Sequence, residues 1–155
     1  MSEFKLTSLQ NGSDIRGIAI ETSDHGITLT DERVEKIAYG FAVWLKEAKH
    51  LAIEDETNPL KVSVGHDSRL SADRIKTIFI KGLTNAGIDV IDVGLSTTPA
   101  MFMSTKYEDY ACDGAVMITA SHLPFEYNGL KFFTKDGGAE LYSAASRLGK
   151  CYLGK

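Results

Sequence analysis

The sequence predicts an α/β domain with a mainly parallel or mixed sheet. Short apolar runs of strand length alternate with longer stretches of helical periodicity. Gly, Asn-Pro and Ser/Asp clusters separate them. A length of 155 residues suits one domain with a real core.

Asp14 to Ile20 reads as the first strand, with Gly12 and Gly17 near its ends. Thr30 is placed to cap a helix whose first turn carries Asp31 and Glu32, which suit the positive end of the helix dipole. Val34, Ile37, Ala38, Phe41, Leu45 and Ala48 recur at helical spacing, and Trp44 lies one place off that stripe. Asn58-Pro59 breaks the pattern. Val62 and Val64 form a short strand, with Gly65-His66-Asp67-Ser68-Arg69 as the turn beyond it. Ser71 is the expected cap of a helix that buries Ile75, Ile78, Phe79 and Leu83 and ends near Gly87. Ile88 to Val93 is a strand, Gly94 to Pro99 a loop and Ala100 to Tyr107 a short helix. Gly114 to Ile118 and Leu130 to Phe133 are strands on either side of a loop. Asp136-Gly137-Gly138 is a turn, and Ala139 to Leu148 begins a helix.

Composition narrows the function classes. A content of 43% hydrophobic and 25% charged residues is that of a globular protein and excludes disordered and collagen-like classes. A net charge of −4 argues against general nucleic-acid binding. No apolar run approaches the roughly 18 residues that span a bilayer, and Met1-Ser2-Glu3-Phe4-Lys5 lacks the apolar core of a signal peptide. No nucleic-acid or membrane partner is therefore expected, and the expected compartment is cytoplasmic. Cys112 and Cys151 have no metal-ligand spacing and read as unpaired thiols. His25 and His50 lie in polar surroundings and read as surface residues.

Ligands of α/β sheets sit beyond the carboxyl ends of the strands. Three polar loops end or flank strands: Ser13 to Gly17, Gly65 to Arg69, and Thr119 to Lys131. Together they offer a serine, Ser121, with His122, Lys131, Arg16 and Arg69, a set suited to an anion and to phosphate above all. Ser121 reads either as a serine closing a turn or as a reactive hydroxyl at the end of a buried strand. A hydrolytic triad is disfavoured. His122 is the direct neighbour of Ser121, adjacent side chains of an extended segment diverge, and no Gly-x-Ser-x-Gly elbow is present. Arg16 reads as a phosphate ligand or as half of an ion pair with Asp14. Asp67 and Arg69 read as site residues or as a turn-capping aspartate and a solvated arginine. Lys131 lies on the face opposite Leu130 and Phe132, either inward as an acid or base or solvated at an edge.

Thr119-Ala120-Ser121-His122-x-Pro124-x-x-Tyr127-Asn128-Gly129-x-Lys131 resembles the phosphoserine loop of the α-D-phosphohexomutases, which include phosphoglucomutase, phosphomannomutase and phosphoglucosamine mutase. Asp14-Ile15-Arg16-Gly17 resembles the family's N-terminal Ile-Arg-Gly segment, and Val64 to Arg69 its Val-Gly-x-Asp-x-Arg turn. The resemblance spans about residues 11 to 140 and is to the first of the family's four domains.

The resemblance implies a three-layer α/β/α domain with a mixed, mainly parallel sheet. It also implies phosphoryl transfer between the 1- and 6-positions of a hexose or hexosamine phosphate, through a 1,6-bisphosphate that doubles as activator. Ser121 would be the phosphoryl carrier. Lys131 and His122 would assist proton transfer, and Arg16 would hold the transferring phosphate. Asp67, Arg69 and Asn128 complete the phosphate- and substrate-binding set, with Asp67 and Arg69 ordering the site more than reacting. Mg2+ is implied on the phosphate of Ser121. The family's metal-binding Asp-x-Asp-x-Asp run belongs to its second domain, and this chain has no Asp-x-Asp. Two further departures are Leu123, where the family usually has asparagine, and Gly12-Ser13 ahead of the arginine segment. The expectation is an isolated first domain whose partners are the family's second, third and fourth domains, with little or no mutase turnover alone. The alternatives are a non-catalytic sugar-phosphate-binding or regulatory module of the same fold and an unrelated anion-binding α/β domain.

Overall fold

The computed structural model describes residues 4–51, 57 and 59–138. In chain order these hold β1 (Gln10–Asn11), β2 (Asp14–Ile18), α1 (Asp31–Ala48), β3 (Lys61–His66), α2 (Ala72–Asn85), β4 (Asp89–Leu95), α3 (Thr98–Met103), β5 (Gly114–Ile118), β6 (Tyr127–Thr134) and β7 (Gly137–Gly138). One seven-stranded sheet runs β1-β2-β6-β5-β3-β4, with β7 also paired to β6.

The apolar periodicities sort onto two faces of this sheet. Val62, Val64, Val116, Ile118, Leu130 and Phe132 face α1 and α2, which contribute Val34, Ile37, Phe41, Leu45, Ile75, Phe79 and Leu83 to one core. The alternate residues Ala115, Met117 and Phe133 pack with Met101 of α3 on the opposite face. Strand alternation thus produces the α/β/α layering. All residues of β5 are buried because it is central and covered on both faces. The Thr30 cap forms as expected, its hydroxyl accepting from the Arg33 N–H. Trp44 is half-buried and stacks on Phe41.

The sheet is mixed, as expected, but its balance differs from a mainly parallel one. Only β3–β4 and β3–β5 pair in parallel, whereas β1–β2, β2–β6, β5–β6 and β6–β7 are antiparallel. The cause is local. No helix separates β5 from β6, so the chain turns back beside itself, and adjacent strands joined that way run antiparallel. Smaller corrections follow the ladders. Gly65 and His66 belong to β3, β4 continues to Leu95, and Gly137-Gly138 pairs with β6 instead of only turning. The helix expected from Ala139 lies outside the described residues. No helix among the described residues is long and apolar enough to cross a membrane.

Candidate functional site

The loops meet where the parallel strands β3 and β5 end together. His66 is in register with Ile118, and the Asp67 N–H donates to the Ile118 carbonyl at 3.1 Å. The segments Asp67–Arg69 and Thr119–Glu126 therefore leave the sheet side by side. At the same edge β6 begins and β2 ends, with Ile18 opposite Tyr127. Of the three expected polar loops, the turn after His66 and the loop from Thr119 lie here, whereas Asp14 to Gly17 form strand β2, whose end reaches the same edge.

Arg69 reaches into the loop that carries Ser121. Its Nη1 donates to the carbonyls of Pro124 at 2.7 Å and Tyr127 at 3.0 Å, and its Nη2 to those of Ser121 at 2.9 Å and Leu123 at 2.7 Å. Asp67 supports the clamp from below. Its Oδ1 accepts from the Arg69 N–H at 3.1 Å, and its Oδ2 accepts from the Thr119 hydroxyl at 2.7 Å. The Thr119 oxygen in turn accepts from the Ser121 N–H at 3.0 Å. Within this frame Ser121 is exposed and takes a left-handed backbone, φ +56°. That region costs a side-chain-bearing residue energy, so the surrounding bonds must hold it there. Arg69 is thus no solvated turn residue. Its guanidinium is engaged with loop carbonyls, which places it under the loop.

A second cluster lies on the α3 face of β2 and β6. Asp14 is buried, and its carboxylate bridges two cations. Arg16 Nη2 donates to Oδ2 at 3.1 Å, and Lys131 Nζ donates to Oδ1 at 2.9 Å. Strand geometry dictates the trio. Ile15 is opposite Leu130, so Asp14 falls opposite Lys131, while Arg16 lies two residues along on the same face as Asp14. Gly129 stands opposite Arg16. A Cβ there would lie 2.3 Å from the Ile15 carbonyl oxygen, 2.9 Å from Arg16 Cγ and 3.0 Å from the Thr119 carbonyl oxygen, so only glycine fits. Arg16 Nε is buried without a hydrogen-bond partner among the described residues, which leaves a donor available at this cluster.

The remaining expected residues separate into two groups. His122 is exposed on the loop beside Ser121. Asn128, expected at the phosphate, is fully buried instead. Its Nδ2 donates to Ser71 Oγ at 2.9 Å and its Oδ1 accepts from the Gly129 N–H at 2.9 Å, so its amide ties β6 to the start of α2. That bond also explains why Ser71 occupies the cap position of α2 without a side-chain cap bond. Sequence reasoning paired Asp14 with Arg16, an ion pair that forms at 3.1 Å, but missed the bond of Asp14 to Lys131 and passed over Thr119. The signal for Thr119 was its place two residues before Ser121, whereas Asp14 required the β2–β6 register.

Among the described residues no three His, Cys, Asp or Glu side chains group as metal ligands. The Asp67 carboxylate beside the Ser121 loop is already bonded to Thr119 and Arg69. These residues do not by themselves fit a Mg2+ site.

Beyond this geometry, a family domain described as phosphoglucomutase/phosphomannomutase, alpha/beta/alpha domain I, matches residues 7–152. The chain belongs to the phosphoglucomutase/phosphomannomutase family. Among relatives of that family, it is 41% identical over 123 residues to a phosphoglucomutase/phosphomannomutase of Thermococcus kodakarensis, covering 79% of this chain and 24% of that protein. It is 40% identical over 139 residues to a phosphoglucosamine mutase of Leuconostoc citreum, covering 88% of this chain and 27% of that protein. The fold matches the crystal structure of a phosphoglucomutase/phosphomannomutase family protein from Burkholderia thailandensis with a TM-score of 0.73 and 24% identity, over 94% of this chain and 31% of that one. The chain therefore spans about a quarter of the length of these curated relatives. Arg69 engages the backbone carbonyl of Leu123, a contact that does not depend on the side chain at that position.

Proposed function

We propose that this chain is the phosphoserine-bearing domain of a phosphohexomutase. The observation that carries the reading is Ser121 itself, an exposed hydroxyl in a left-handed backbone held by Arg69 and Thr119. In the proposed cycle a hydroxyl of a hexose or hexosamine monophosphate attacks the phosphorus on Ser121. A sugar O–P bond forms, the Ser121 Oγ–P bond breaks, and the hydroxyl proton leaves to a neighbouring base. The 1,6-bisphosphate then turns in the site and returns its other phosphoryl group to Ser121 Oγ. Such transfers rely on positioning and charge neutralisation. Arg16 would neutralise the transferring phosphoryl group, and Lys131 with His122 would move the protons. Asp67, Arg69 and Asn128 act on the loop and its anchor, as positioning residues and not as ligands. Among the described residues, a phosphate on Ser121 would offer Mg2+ its oxygens. The sugar and the cytoplasmic setting belong to the proposal, as does the low turnover expected of a chain spanning a quarter of its relatives' length.

The test is exposure of the purified chain to hexose 1,6-bisphosphate, followed by intact-mass and peptide analysis. Phosphate on the Ser121 peptide, lost in Ser121→Ala, is expected. Absence of transfer both here and in a longer chain carrying the downstream domains would instead favour a non-catalytic sugar-phosphate-binding module.

A further inference from the structure

We propose that Asp14 is a resident counter-anion, which pairs Arg16 and Lys131 when no phosphoryl group is present and yields them when one arrives. The Asp14 carboxylate gives one oxygen to each cation, at 3.1 Å and 2.9 Å. The side chains of Asp14 and Arg16 keep 9% and 16% of their exposure, while that of Lys131 keeps 31%. Lys131 is therefore the most exposed member of the trio. Ser13 Oγ approaches the same carboxylate oxygen as Lys131, at 3.3 Å. Arg16 Nε, buried and without a partner among the described residues, shows that Asp14 alone does not satisfy the guanidinium.

A carrier serine alternates between a neutral hydroxyl and a phosphate of charge near −2. Two bare cations held side by side would repel in the first state and grip too tightly in the second. One fixed carboxylate between them moderates both. Asp14 touches no reacting atom in this scheme and acts through Arg16 and Lys131, so it is a positioning residue. The proposal rests on the phosphoryl-carrier reading only for the identity of its ligand.

The test uses inorganic phosphate as probe, in the Ser121→Ala chain so that no covalent phosphate contributes. Asp14→Asn keeps the shape of the side chain and removes its charge. It should bind phosphate about tenfold more tightly, the size expected from deleting one like charge about 12 Å from an anion near a protein surface. A purely structural Asp14 would give equal or weaker binding in the variant, and that result overturns the proposal. So does the absence of phosphate binding in both proteins. If Asp14→Asn does not fold, the parent chain still decides. Its Asp14 carboxyl carbon resonance should shift as phosphate saturates, and Lys131→Gln should diminish the shift. A carboxyl resonance that stays still at saturation overturns the proposal. A phosphate effect with no phosphorylation of Ser121 by the bisphosphate leaves Asp14 as counter-anion and removes the mutase reading alone.

Discussion

Ser121 combines exposure, chemistry and an unfavourable backbone in one residue. Its φ of +56° is a region where glycine is at ease and other residues are not. Ser121→Gly should therefore raise stability by ~1 kcal/mol while removing the hydroxyl. A urea titration reads this, and an unchanged midpoint would show that the surrounding bonds impose no strain. Arg69 is the counterweight. Its carbonyl partners at 121, 123, 124 and 127 cannot all be met by an ammonium. Arg69→Lys should cost ~2–4 kcal/mol and speed hydrogen exchange at Ser121 and Leu123 ahead of the rest of the sheet. Uniform exchange across the sheet would mean that the clamp is not local. At this scale the sequence was partly legible. The types and order of Ser121, Arg16 and Lys131 were plain, because they sit in compact motifs. The work of Arg69 was not, because four backbone carbonyls leave no trace in side-chain identity. Asn128 misled for a related reason, since a polar residue near a loop does not reveal that it is buried against Ser71.

At the scale of elements, β2 and β6 hold the cation cluster together through one tight crossing. Gly129→Ala would press a methyl group to within 2.3 Å of the Ile15 carbonyl oxygen. The strands must separate, at a cost of ~3 kcal/mol or more by the logic of overpacking a closed site. Thermal unfolding checks it, and a loss below ~1 kcal/mol would show that β2 moves freely against β6. The helix α1 offers a milder test, in which Thr30→Ala should cost ~1 kcal/mol through its lost bond to the Arg33 N–H. Helix and strand existence was largely legible, since the stripe Val34–Leu45 and the run Gly114–Ile118 announce their periods. Pairing was not. The sense of β5–β6 depends on a direct return of the chain, and the β2–β6 pairing joins segments far apart in sequence, which no local pattern encodes.

At the scale of the whole molecule, Cys112 reports on folding through pH. Burial pushes its thiol above the ordinary value of 9.0, opposed by a hydrogen bond with Ser63 and the nearby Lys61 charge. In the folded chain the thiol stays protonated to higher pH than in the unfolded chain. Its contribution is thus fully present below 9.0 and lost as pH rises through the folded value. Urea midpoints should fall more steeply in the parent chain than in Cys112→Ala as pH rises from 9.0 through the folded value, and parallel curves there would contradict this. The strand order carries a consequence in time. The strand β2 is synthesised before its neighbour β6, which follows more than a hundred residues later. At about 5–20 residues per second, Asp14 and Arg16 wait on the order of 5–20 s for Lys131. Until β6 arrives, the nascent chain must keep the inner edge of β2 from pairing with anything else.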